Sequence, residues 1–152
     1  MALDDSIWNT RPFGPDALRL DDRIAIVTGV ARGLGRATAI ALARCGADVA
    51  VCDREAAELE SCRAEVEALG RRCHAALLDV REDEVVEGFV DAVRGRLGRI
   101  DVLVNNAGGG FWSPFLDVSS KGEQALIREN FGTVTNCMEP LGFPGPSRGL
   151  VS

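Results

Sequence analysis

The chain has 152 residues, enough for one domain with a real core and little more. Hydrophobic residues make up 46% and charged residues 26%, which excludes wholesale disorder, and a formal charge of −6 excludes a basic footprint for nucleic acid or an anionic membrane. Its apolar stretches are too short to cross a bilayer and the acidic start Met1-Ala2-Leu3-Asp4-Asp5 is not that of a signal peptide, so the sequence reads as a soluble cytoplasmic protein.

Residues 1–20 mix Pro12, Gly14, Pro15 and charges without a period and read as an N-terminal arm. Arg23 to Val27 is an apolar run rich in β-branched residues and reads as a buried strand. An alanine-rich helix from Gly33 to about Cys45 is stopped by Gly46, and Asp48 to Cys52 is a second buried strand. Glu55 to Leu69 carries Leu59, Cys62, Val66 and Leu69 on one helical stripe. Cys73 to Leu78 reads as a third strand. Glu82 to Leu97 reads as a helix with Val85, Val86, Phe89, Val90, Val93 and Leu97 at helical spacing, and Asp101 to Val104 as a fourth strand. After Gly108-Gly109-Gly110 a last helix runs from about Gly122 to Met138. Alternating strands and helices predict parallel βαβ units: an α/β, Rossmann-like, doubly wound sheet of about four strands over residues 21–138, incomplete relative to a larger sheet. Residues 139–152, with three Pro and three Gly, abandon the pattern and read as a divergent tail.

The five cysteines, Cys45, Cys52, Cys62, Cys73 and Cys137, are odd in number and form no C-x-x-C pair, so they read as reduced, small apolar residues, and no metal site is expected. His74 stands in a strand and reads as packing. The chain contains no Tyr, and its only Lys is Lys121.

The first strand runs into Thr28-Gly29-Val30-Ala31-Arg32-Gly33-Leu34-Gly35, directly before a helix. Glycines there permit a tight turn and leave backbone N–H groups open to a phosphate at the helix start. Asp53 closes the second strand eighteen residues after Gly35, where a carboxylate can accept from ribose hydroxyls. Asp79-Val80 closes the third strand and Asn105-Asn106-Ala107-Gly108 the fourth. All four clusters fall on the carboxyl edge of the sheet, where open α/β sheets bind ligands. Asp53 favours NAD over NADP by repelling a 2′-phosphate, whereas Arg32 and Arg54 pull towards NADP.

In this order and spacing, Thr28-Gly29-x-x-x-Gly33-x-Gly35, Asp79-Val80 and Asn105-Asn106-Ala107-Gly108 resemble the short-chain dehydrogenase/reductase family, from about Leu20 to Met138. The resemblance implies hydride transfer between a nicotinamide and a small alcohol or carbonyl substrate. It implies that the loop of Gly29, Gly33, Leu34 and Gly35 holds the pyrophosphate, that Asp79 bonds the adenine amino group and that Val80 lines the adenine pocket. Asn105, Asn106, Ala107 and Gly108 would stabilise the central strand and pack against the ribose. Asn130 matches the helix asparagine that holds a water in the family's proton relay; its alternative is local packing or kinking. A homo-oligomer is implied for a full-length form.

The family continues with a catalytic Ser and Tyr-x-x-x-Lys, and neither stands here: Tyr is absent and Lys121 precedes Asn130. The chain therefore reads as the cofactor-binding half of such an enzyme, truncated before the catalytic residues and inactive alone, with an open, apolar outer edge on its fourth strand. The rival readings are a non-catalytic dinucleotide-binding or interaction module and a non-functional remnant. Phe111, Trp112 and Phe115 could touch a substrate or simply anchor their loop.

Overall fold

The computed structural model describes residues 15–142. Most of the expected N-terminal arm and all but four residues of the expected tail lie outside that range. A four-stranded parallel sheet forms the centre, with β1 (Ile24–Thr28), β2 (Asp48–Asp53), β3 (Cys73–Leu77) and β4 (Val102–Val104) in the spatial order β3-β2-β1-β4. Helices α1 (Gly33–Arg44), α2 (Ala56–Ala68) and α3 (Asp83–Arg96) fill the crossovers. After β4 come α4 (Ser120–Ile127), a π-helical turn (Arg128–Gly132) and α5 (Thr133–Met138). This is the doubly wound α/β arrangement that the alternating runs predict.

Strand periodicity explains the two-sided core. Successive side chains point to opposite faces of a strand. Ile24, Ile26, Ala50 and Cys52 therefore meet Val86, Phe89, Val90 and Val93 of α3 and Cys137 of α5 on one face. Val27, Val49 and Val51 meet Ala39 and Ala43 of α1 and Leu59, Cys62 and Val66 of α2 on the other. The small alanines of α1 let that helix lie close to the sheet. Each fully buried Val or Phe contributes roughly 1.5–3 kcal/mol by leaving water.

One sequence expectation changes in detail. Both edge strands, β3 and β4, are half-buried, and Leu77 at the end of β3 is exposed. Val85, placed on the apolar stripe of α3, is 48% exposed, whereas Val86 one residue on is buried. The stripe is narrower than the run of apolar letters.

The amino edge of the sheet is held by ion pairs. Asp48, the first residue of β2, is buried and accepts from Arg71 at 2.9 Å, from the Arg72 side chain at 2.7 Å and from the Arg72 backbone at 2.9 Å. Burial pushes its carboxyl up, but the Arg72 hydrogen bonds and the Arg71 charge outweigh burial and leave it below the usual carboxylate value. Asp101, just before β4, accepts from the Ile24 backbone at 3.1 Å and from Arg23 at 3.0 Å. These contacts pin the strand starts and leave the opposite edge to the glycine-rich loops.

Candidate dinucleotide site

At the carboxyl edge, the loop after β1 and the loop after β4 are sewn together. Thr28 Oγ1 is buried and accepts from the backbone N–H of Asn106 at 3.1 Å and of Ala107 at 3.0 Å. The Asn106 side-chain amide donates in return to the carbonyls of Thr28 at 3.0 Å and Gly29 at 2.9 Å. That contact sets the glycine requirement. Gly29 has φ +72°, and a Cβ there would lie 2.8 Å from Ala107 Cα; a Cβ on Gly35 would lie 2.1 Å from the Gly29 carbonyl oxygen. Gly33 differs: its φ is +62°, but nothing lies within 4 Å of the space a Cβ would fill. That space opens beside the first turn of α1, whose N-cap, Arg32, makes no side-chain capping bond. Uncapped N–H groups at a helix start suit an anion, and these residues fit the pyrophosphate of a dinucleotide.

An open cleft of about 210 Å³ lies beside this loop. Gly29, Arg32, Asp53, Arg54, Asp79, Val80, Asn106, Ala107 and Gly108 line it, so nine sequence-derived residues from four strand ends converge on one space. The other four named for the cofactor do not line it. Gly35 is buried under the loop, Leu34 is exposed beyond it, Gly33 shapes the turn, and Asn105 sits deeper with its Oδ1 buried and without a partner among the described residues.

Asp53 is fixed from three sides. One carboxylate oxygen accepts from the Ala31 N–H at 2.7 Å, and the other from the N–H groups of Arg54 at 2.7 Å and Glu55 at 3.1 Å. It thus holds the glycine loop and closes a turn before α2 while still lining the cleft. Asp79 is gripped by Arg81, whose Nε donates at 2.9 Å and 3.0 Å to its two oxygens and whose Nη2 also pairs with it. Those hydrogen bonds hold its carboxyl down at about 2, so it is ionised at any ordinary pH. The Arg54 guanidinium also points to Asp79, at 3.6 Å.

Asn130 lies in the π-helical turn and not on the cleft wall. Its amide donates to the Gly109 carbonyl at 2.7 Å and the Leu126 carbonyl at 2.9 Å, and its oxygen accepts from the Gly109 N–H at 3.2 Å. Both amide hydrogens are thereby used on backbone. The expected helix runs on through this residue and widens to a π turn there. Phe111 and Trp112 are exposed, Trp112 at 97%; the side chain of Phe115 lies outside the described set.

The sequence reading missed Ala31, Cys52, Glu55, Leu78, Glu129 and Thr133 in the lining. Glu129 and Thr133 stand one helical turn apart on one face, and only their side of the helix would have flagged them. Cys52 is a buried wall residue whose thiol burial pushes far up, so it stays protonated. Burial likewise pushes the Cys137 thiol up to about 11. His74 stacks on Phe89 with ring centroids 5.8 Å apart, a packing role. Among the described residues no group of three His, Cys, Asp or Glu could hold a metal ion, and no helix is long and apolar enough to cross a membrane.

Comparison with known proteins bears on the whole chain. The family model described as short chain dehydrogenase matches residues 23–141. An uncharacterized oxidoreductase of Mycobacterium tuberculosis is 38% identical over 118 residues, covering 78% of this chain and 45% of that protein. The 7alpha-hydroxysteroid dehydrogenase of Escherichia coli is 39% identical over 103 residues, covering 68% of this chain and 40% of that one. The crystal structure of a short chain dehydrogenase from Mycobacterium paratuberculosis bound to NAD superposes with a TM-score of 0.77 at 30% identity, over 80% of this chain and 50% of that chain. The chain spans about half the length of the curated relatives it matches.

Proposed function

The chain belongs to the short-chain dehydrogenase family, and from that premise we propose that it is the dinucleotide-binding half of an oxidoreductase acting on an alcohol or carbonyl. The observation that carries the proposal is the convergence of four strand ends on one cleft beside an uncapped helix start. A bound nicotinamide dinucleotide would supply the hydride chemistry. The loop from Gly29 to Gly35 and the first turn of α1 would hold its pyrophosphate. Asp53, already oriented by three backbone N–H groups, would accept from the adenosine ribose hydroxyls. Asp79 would accept from the adenine amino group, Val80 would line the adenine pocket, and Asn106 to Gly108 would pack against the ribose. Asn130 would act by holding the glycine loop at Gly109.

NAD is the favoured partner. A 2′-phosphate would meet the Asp53 carboxylate, and Arg54, the nearest cation in sequence, is drawn to Asp79. Arg32 remains on the cleft wall as the group that would admit NADP. The reaction also needs a group that gives a proton to, or takes one from, the substrate oxygen. With no Tyr in 152 residues and Lys121 on α4, these residues have none at the expected place, so the chain is inactive alone. A full-length form would be a cytoplasmic homo-oligomer.

A second reading, a non-catalytic module that pairs with another protein, draws on the outer side of β4. An apolar groove of about 620 Å³ runs there past Ile100, Val102, Leu103 and Leu141. The deciding experiment is titration of the purified chain with NADH and NADPH, followed by nicotinamide fluorescence, with alcohol oxidation assayed alongside. Saturable binding, tighter for NADH, without turnover is the expected result. A folded sample that binds neither would overturn the proposal, and turnover by the pure chain would overturn its inactivity.

A further inference from the structure

No further inference is drawn: the strongest candidate, the apolar groove along the outer side of β4 past Ile100, Leu103 and Leu141, carries nothing further, since nothing among the described residues shows what covers it.

Discussion

Gly33 and Gly35 stand two residues apart in one loop, yet a side chain would act differently at each. At Gly35 a Cβ would collide with the Gly29 carbonyl, a backbone atom that cannot swing away. Gly35→Ala should therefore cost about 3 kcal/mol or more, read as loss of the cooperative thermal transition. At Gly33 there is space but φ is positive, so Gly33→Ala should cost only about 1–2 kcal/mol in a urea melt. If the open space is the pyrophosphate seat, the same methyl should weaken NADH at least tenfold, a split between stability and binding that Gly35→Ala cannot show. Asp48 carries a different prediction. Its folded-state carboxyl is depressed, so its contribution is present above the ordinary carboxylate pKa of about 4 and is lost as pH falls below it. Asp48→Asn should lower stability by about 2–3 kcal/mol at pH 7, and the difference from the unaltered chain should shrink in melts taken at progressively lower pH. At this scale the motif glycines and acids were legible because each closes a strand. The Arg81–Glu129 contact was not, because its partners lie 48 residues apart and neither belongs to a recognisable spacing.

Helix α3 shows what periodicity does and does not reveal at the level of an element. Its apolar letters name the buried side, but the outer member, Val85, faces water. Val93→Ala should cost about 2–3 kcal/mol and Val85→Ala less than about 0.5 kcal/mol, a contrast that paired urea melts would read directly. Equal costs would mean that α3 is rotated about its axis. The run from Ser120 to Met138 teaches the complementary lesson. Its residues predict one helix, and the structure keeps it helical throughout, with a π turn at Arg128–Gly132 where Asn130 turns its amide to Gly109, across a loop. That long-range bond has no local signature, so the sequence shows the helix and not the π turn within it. Asn130→Ala should speed amide hydrogen exchange at Gly109 and cost about 1–2 kcal/mol. The half-buried state of β3 was equally hidden, since an outermost strand and an inner one share the same short apolar pattern.

For the molecule as a whole, the inner strands β1 and β2 are covered on both faces, while β4 has no strand on its outer side among the described residues. Parallel sheets expose such edges reluctantly. The groove along Ile100, Val102 and Leu103 gives that side apolar surface. We expect the isolated chain to associate as its concentration rises, visible as a growing sedimentation coefficient; a single monomeric species at all concentrations would refute this. The contacts of Asn106 with Thr28 and Gly29 have a kinetic consequence as well. They join residues 77 or 78 positions apart, so during synthesis the first loop emerges long before the residue that locks it. Until then the loop is slack, and the slow event in refolding is the long-range closure that brings Asn106 home. Asn106→Ala should therefore slow refolding as well as speed unfolding, whereas truncations on the outer helix faces should act on unfolding alone.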